Sequence, residues 1–473
     1  MDSFGIKYNK QKGVFEIRDK IEFIKYWQKN KLKVNVMEKY KTKIDEILEK
    51  IFNMRTINKR ITKESLNQNN EKLKKIYELL EKPCENKKII HIAGTNGKGS
   101  TATFLENIFF AAGYSVAKFT SPHILQFNER ILVNKEMISD EDVVKYCEAV
   151  MNVLEKNRLQ INFFEITTFV ALLYFKEKNP DFIFLETGLG GRYDATNIVK
   201  STIAAITNVS FDHVALLGNS LYEIADRKAG IIKDGELCIY AQNLGELEEA
   251  VKRETDNSVN VLEKYKNLQV ELDNQNYKTV VKITENKNLE KTFVLPLFGK
   301  FQANNFLIAY EIAKIYEIGD KAIQNGVSQI SLAGRFEIFS QDPTTILDVA
   351  HNEDSVKVLT ENLNELFKDD EVIFILSILG TKNIVTIFEK ILGKNYKIFI
   401  TSLKEVTYGL SADEIKKNLE DSNISTKNII FEDDILEAYS KVKEMVLKKD
   451  NSYKAIVVCG SFYEIAKFKN LFL

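Results

Sequence analysis

Several things are scarce in this chain, and each scarcity removes a class of function. Cysteine occurs four times in 473 residues (Cys84, Cys147, Cys238, Cys459) and never as a CxxC pair. That argues against a disulfide framework and a thiolate zinc site, and for a reducing compartment. Net charge is almost nil, with 66 Lys+Arg against 67 Asp+Glu, so composition gives no case for a nucleic-acid or membrane partner. No apolar run reaches the length of a membrane span, and the opening MDSFGIKYNK lacks the apolar stretch of a secretory signal. A soluble, cytoplasmic protein is expected. Internal repeats and low-complexity linkers are missing as well.

What is present is enough for real cores. The length suggests two or three domains, and 44% of the residues are hydrophobic. Residues 1 to about 85 are mostly Lys/Glu-rich with helical patterning, including MEKYKTKIDEILEKIF at 37–52. From residue 88 the texture changes. Short β-branched runs (KKIIHIAG, SVAKFTS, PDFIFLETG, STIAAITNVS, GELCIYA) alternate with amphipathic helices, the pattern of a parallel sheet with covering helices. Around 258–298 the period turns strand-like, and an added β-hairpin is expected. A second series near TTILDVAH, EVIFILSILG, YKIFITSL, NIIFED and AIVVCGS predicts five more strands with helices between them. The expected organisation is an N-terminal extension at 1–36, an α/β domain at 37–335 and a second α/β domain at 336–473.

The stretch HIAGTNGKGS at 91–100 resembles a phosphate loop but breaks the form G-x-x-x-x-G-K-[ST], with Ile92 and Gly99 where a glycine and a hydroxyl belong. Its setting decides the reading. It lies between a buried-strand pattern and the apolar helix STATFLENIFFAAG, where free N–H groups and the helix dipole favour an anion. Gly94, Gly97 and Gly99 let backbone approach phosphate oxygens, Lys98 reaches the outer phosphates, and Ser100 offers a hydroxyl for Mg²⁺. Of the four histidines, His123, His213 and His351 fall at strand ends, where ligand crevices of open α/β sheets lie, and His91 within a strand is expected to be structural. Glu186 ends a buried apolar strand and needs a cation or hydrogen bonds to compensate it, with capping of the glycine turn as the plainer alternative. Ser100, Ser121 and Glu186 suit hard Mg²⁺, with His213 a less usual nitrogen donor.

In NSLYEIADRKAGIIK, Ser220 and Glu223 form a capping box, and Leu221, Ile224, Ala225 and Lys228 share one helical face. Lys228 is therefore either a desolvated lysine open to modification or phosphate contact, or one that complements the helix C-terminus or snorkels.

The motifs GTNGKGS, TSPHI, NER, LETGLGGRYDATN, DH, LG, KAGIIK, LAGRFE and DVAHN occur in this order. In them the chain resembles the folylpolyglutamate synthase/dihydrofolate synthase family of Mur-type ligases over about residues 40–473. The resemblance implies a P-loop ATPase domain followed by a Rossmann-like domain, with the ligands between them. It implies ATP contacts at Asn96, Gly97, Lys98, Gly99, Ser100, Asn305, Arg335 and Asp348, and Mg²⁺ (two ions) on Ser100, Ser121, Glu186 and His213. Lys98, His213 and Lys228 would be catalytic, with Lys228 carried as a carbamate. NFFEITT and RYDATN would contact the pterin through Phe163, Phe164, Glu165, Tyr193, Asp194 and Ala195; Asn162 stands where a threonine is common, and the plainer alternative is that both phenylalanines are core of the following helix. The implied reaction adds L-glutamate to folates, and to dihydropteroate, by way of an acyl phosphate. A monomer that handles small-molecule substrates (dihydropteroate or reduced folate, with L-glutamate) is expected. A peptidoglycan ligase would need a larger N-terminal domain, and a non-enzymatic nucleotide switch would leave Arg335 and Asp348 unexplained.

Overall fold

The computed structural model describes residues 42–54, 63–286, 289–367, 371–392, 396–448 and 452–472, together with the backbone of two short strands, Lys7–Asn9 and Val14–Glu16. Those two strands pair antiparallel, with Lys7 opposite Glu16. The helical reading of the N-terminal stretch is corrected there, because aromatic and β-branched residues such as Tyr8, Val14 and Phe15 favour extended backbone. The rest of the 1–36 extension lies outside the described residues. The helical reading holds further on. Thr42 caps Lys43–Asn53 through a capping box with Asp45, which ties down orphan N–H groups. The Lys63–Leu79 helix follows.

The larger sheet has eight strands, in the order Ser258–Asn260, Leu237–Tyr240, Ile203–Ile206, Lys88–Ala93, Phe182–Glu186, Val116–Phe119, Ile131–Val133 and Glu136–Met137. The first six run parallel, and the last two are joined on by antiparallel pairings. Its central strands are buried along almost their whole length, which is why they read as continuous apolar runs and not as alternation. The register sets Glu186 beside Ile92, and Ala93 beside Ile206, so three strand ends finish level under one crevice.

Beyond this sheet the expected β-hairpin is present as the antiparallel pair Lys278–Asn286 and Leu289–Leu295, with a third strand added to it. Ser258–Asn260 joins the main sheet edge, while Gln269–Asp273, Lys278–Asn286 and Leu289–Leu295 form a separate three-stranded antiparallel sheet. The first of its turns is built by Asp273, whose Oδ1 accepts from the N–H groups of Gln275 and Asn276, a local bond that reverses the chain.

The second large sheet has six strands where five were expected, in the order Glu337–Gln341, Thr344–Leu347, Ala455–Cys459, Val372–Leu376, Lys397–Ile400, Ile429–Phe431. The extra strand, Glu337–Gln341, is a half-exposed antiparallel edge and therefore carries a weaker apolar signal than its buried parallel neighbours. Helices cover both large sheets. The Lys98–Ala111 and Phe301–Ile315 helices pack against the first, and Glu353–Leu366 against the second.

Candidate active site

The loop at 94–100 leaves the buried Lys88–Ala93 strand and turns directly into the Lys98–Ala111 helix. Gly97 stands at φ 83, and a Cβ there would fall 2.2 Å from Asn305 Oδ1. Both the backbone and the neighbour thus demand glycine. A Cβ on Gly94 would fall 1.8 Å from Thr207 Oγ1. The loop is fixed by its neighbours: Asn208 Oδ1 accepts from the Asn96 N–H at 2.8 Å, and Thr207 Oγ1 donates to Asn96 O at 2.6 Å. Lys98 folds back over the loop and donates to Gly94 O (3.1 Å) and Thr95 O (3.2 Å). The free N–H groups at the helix start form a ready anion site.

Ser100 is buried, and among the described residues its hydroxyl has no hydrogen-bond partner. Glu186 ends its strand nearby, 4% exposed, and accepts the Ser121 N–H at 3.1 Å. A Cβ on Gly99 would lie 3.5 Å from Glu186 Oε2, so carboxylate and loop face each other. Burial pushes the Glu186 carboxyl up, against the opposing pull of Lys98, the Ser121 N–H and Arg335. A partnerless hydroxyl and an undercompensated carboxylate lining one cavity fit a hard divalent cation such as Mg²⁺. Among the described residues no three His, Cys, Asp or Glu side chains converge as a metal cage. An ion here would rely on hydroxyls, one carboxylate and oxygens brought by a ligand, which is the usual habit of Mg²⁺.

Lys228 lies in the last turn of the Leu221–Ala229 helix, buried with Ile224 and Ala225, on a helix started by the Ser220–Glu223 capping box. Burial holds its amine well below the ordinary lysine range; the positive charge of Lys98 adds to this, and Asp212 opposes it. Beside it, His213 stands at φ 49 on an exposed turn with its Nε2 3.3 Å from Lys382 Nζ. Desolvation, with Lys382, Lys98 and Lys228 nearby, lowers the His213 ring, while Asp212 raises it. Asp212 itself accepts from Lys382 Nζ (2.7 Å) and Asn352 Nδ2 (3.2 Å). Burial would raise its pKa, but the charges of His213, Lys382 and His351 win and hold it well below the carboxylate range.

From the second sheet, Arg335 donates to Gly334 O and sets its guanidinium 5.0 Å from the Phe462 ring centroid. Asp348 accepts from the N–H groups of Phe336 and Ala350, both at 2.8 Å. The residues expected on the nucleotide and metal side all line one cavity of about 390 Å³ between the two large sheets: Asn96 to Ser100, Ser121, Glu186, His213, Lys228, Asn305, Arg335 and Asp348. His351 lines it too; burial brings its ring down to about 4, and Nδ1 bonds Val349 O at 2.7 Å. His123 stands outside that lining, its Nδ1 accepting from Arg130 Nε at 2.8 Å. His91 is fully buried with Nε2 2.8 Å from Thr196 Oγ1, as a structural histidine would be.

The expected pterin residues lie elsewhere. None of Phe163, Phe164, Glu165, Tyr193, Asp194 and Ala195 lines the cavity. Phe163 packs edge-on to Phe127 and Phe52, and the Phe164 ring fills the space a Cβ on Gly188 would need. Glu165 caps its own helix and accepts from Asn69 Nδ2 at 2.6 Å, while Asp194 accepts from the N–H groups of Leu189 and Thr196. Tyr193 lies under the Arg227 guanidinium, and Ala195 is buried. The sequence reading missed Asp212, Asn352, Asp354 and Lys382, all of which line the cavity or bond across it. The strand-end rule that selected His213 also pointed at Asp212 beside it, and at Lys382 in the loop after the buried Val372–Leu376 strand.

Comparison with known proteins adds the following. The chain matches the Mur ligase middle domain over residues 92–313 and the dihydrofolate synthetase C-terminal domain over residues 334–471. It is 31% identical over 418 residues to a dihydrofolate synthase/folylpolyglutamate synthase of Bacillus subtilis, covering 84% of this chain and 93% of that one. A protein of the same name from Buchnera aphidicola is 30% identical over 388 residues, covering 80% and 87%. Among solved structures, the bifunctional folylpolyglutamate synthase/dihydrofolate synthase of Yersinia pestis superposes with a TM-score of 0.72 at 26% identity, covering 85% of this chain and 93% of that one. A bifunctional synthase solved with Mn, AMPPNP and L-glutamate bound superposes with a TM-score of 0.75 at 25% identity, covering 91% and 98%.

Proposed function

The chain belongs to the dihydrofolate synthase/folylpolyglutamate synthase family, and from that membership we propose that it is an ATP-dependent ligase that joins L-glutamate to folates and to dihydropteroate. The observation that carries the reading is the meeting of the phosphate loop, the Ser100–Glu186 oxygen pair and Arg335 with Asp348 in one cleft. A carboxylate is a poor acyl donor because its leaving group would be an oxide. The substrate carboxylate oxygen attacks the γ-phosphorus of ATP and ADP leaves. The glutamate amine then attacks the acyl carbon, phosphate leaves, and the amine sheds a proton.

The residues divide the work as follows. The backbone of Asn96 to Ser100 cradles the phosphates, and Lys98 answers the charge that grows on the transferred oxygens. Asn305, which packs against Gly97, and Arg335 at the domain boundary contact ATP together with Asp348 from the second domain. Ser100, Ser121 and Glu186, with His213 as a nitrogen donor, would hold Mg²⁺ (two ions), which would supply charge neutralisation at the phosphates. Lys228 has the depressed amine that a carbamate requires: its neutral nitrogen would bond the carbon of CO₂ and lose a proton, leaving an anion on the cavity wall. Closure between the domains keeps water from the acyl phosphate.

The domain division proposed is 37–335 for the ATPase domain and 336–473 for the ligase domain, with 1–36 an extension of open role. We further propose a monomeric, cytoplasmic enzyme; the balanced charge gives no case for a nucleic-acid or membrane partner, and among the described residues no helix is long and apolar enough to cross a membrane.

A second reading, ligation to folates alone, is favoured by one observation: the carboxylates of Glu165 and Asp194 are already engaged as caps, outside the cavity. One assay separates the cases. ADP release is measured with dihydropteroate plus glutamate, tetrahydrofolate plus glutamate, and UDP-muramyl substrates. Activity with both pteridine substrates is expected. Activity with tetrahydrofolate only selects the narrower enzyme, and activity with UDP-muramyl substrates alone overturns the proposal.

A further inference from the structure

The second domain also reaches the phosphate loop at a point the assignments above leave unused, the N-terminus of the Glu353–Leu366 helix. Asn352 caps this helix by accepting the Ser355 N–H at 2.8 Å. Its Nδ2 donates across the cleft to Asn96 Oδ1 (3.1 Å) and Asp212 Oδ2 (3.2 Å). In the first turn, Asp354 Oδ2 accepts from Asn96 Nδ2 (2.8 Å), Asn208 Nδ2 (3.2 Å) and Ser210 Oγ (3.2 Å). Both ends of the Asn96 carboxamide are therefore held by one helix of the other domain.

The residues that Asp354 grips hold the loop in turn. Asn208 Oδ1 accepts the Asn96 N–H. Ser210 N donates to Thr95 Oγ1 at 3.0 Å, and that hydroxyl donates to Ser210 O at 3.1 Å. The helix itself is anchored, with Val356, Leu359 and Leu363 buried in the second core, so its terminus moves with the six-stranded sheet. A carboxylate accepts and cannot donate, and charge-assisted bonds are the stronger kind. A negative charge beside a loop made for phosphates is disfavoured as a nucleotide contact. As an acceptor for the loop's own donors it is well placed.

We propose that Asp354 is a positioning residue: through Asn96, Asn208 and Ser210 it ties the shape of the phosphate loop to the seating of the second domain. The loop takes its ATP-binding form when the cleft is closed, and by linkage nucleotide binding favours closure in return. This rests on the assignment of 96–100 to ATP phosphates made above.

The test is a double-mutant cycle on the full chain. Binding of AMPPNP with Mg²⁺ is measured by calorimetry for the wild type, Asp354→Ala, Asn96→Ala and the double variant. Each single variant is expected to bind about 10-fold more weakly, as loss of a hydrogen bond to a charged partner predicts. The double variant is expected to lose clearly less than the product of the two single losses, because both remove the Asn96–Asp354 contact while each also removes others of its own. Thermal midpoints should stay within about 3 °C of wild type. Asp354→Asn, which keeps the volume and one acceptor oxygen, should lose less and serves if the alanine variant folds poorly. Losses that multiply in the double variant overturn the proposal, as does unchanged or tighter binding by Asp354→Ala, which would mark the carboxylate as a mere repulsive charge. The wild type's glutamate ligation is assayed alongside. A chain that binds AMPPNP with the expected coupling but joins no glutamate to any pteridine would sink the substrate assignment and leave this clamp standing.

Discussion

Glu186→Gln is the most discriminating single change, because its effects on stability and on activity should have opposite signs. The side chain is 4% exposed at the end of the Phe182–Glu186 strand, and it accepts one backbone N–H, that of Ser121. Glutamine keeps the volume and an oxygen for that bond, and removes only the charge. Burial raises the carboxyl's pKa despite Lys98, Ser121 and Arg335, so the charged form is undercompensated in the protein without nucleotide. Removing it should stabilise that form, on the order of 1 kcal/mol, or a rise of about 2–4 °C in midpoint. Turnover should move the other way. One preorganised charge lost from the transferring phosphoryl group is worth about 3 kcal/mol, so kcat should fall roughly 100-fold. The assays are scanning fluorimetry without nucleotide and ADP release with tetrahydrofolate, glutamate and excess Mg²⁺. A variant that is less stable yet within threefold of wild-type activity would show that Glu186 is only a cap for the turn.

Further expectations follow from other parts of the cleft. Lys228→Ala should be nearly inactive, with partial recovery in added short carboxylates. ¹³C-bicarbonate should give the wild type a carbamate signal that the variant lacks, and its absence from active wild-type enzyme would remove the carbamate. Asp348→Ala and Arg335→Ala should each raise KM for ATP about 10-fold or more without unfolding the chain, and segment 1–330 should lack the folate-stimulated ATP hydrolysis of the whole protein; full stimulation in the segment would break the two-domain reading. Glu464 gives a pH test remote from the metal. Fully buried, it accepts from Ser377 Oγ at 2.9 Å and from Thr401 Oγ1, and burial pushes it up to about 7. Its folded pKa lies above the unfolded value, so its contribution is whole below about 4.5 and is lost as pH rises through about 7. Between pH 6 and 8 the wild type should lose roughly 1 kcal/mol that Glu464→Gln keeps, and parallel melting curves for the two across that range would disprove the assignment.

Much of this site was legible because its signals are local. The strand, the glycine loop and the following helix are contiguous, so Asn96 to Ser100 could be placed at a helix N-terminus from spacing alone. The Ser220–Glu223 box and the i, i+3, i+4, i+7 pattern likewise pointed Lys228 inward, where it is found buried. Apolar alternation separated the two sheets, though not the half-exposed edge strand Glu337–Gln341. What lies across the cleft was beyond any such reading. Lys382 meets Asp212 over 170 positions, and Asp354 meets Asn96 over 258. Which of many charged and amide side chains become partners depends on how two sheets, each packed on its own apolar core, are turned toward each other. The same limit governs Glu165. The family resemblance makes it a pterin contact, but in the structure it closes a capping box with Asn162, and Asn69, from a helix 96 positions away, completes its hydrogen bonding. Short-range periodicity fixes the faces a chain must bury, and the polar groups at their rims acquire roles only from what the packed neighbours leave unsatisfied.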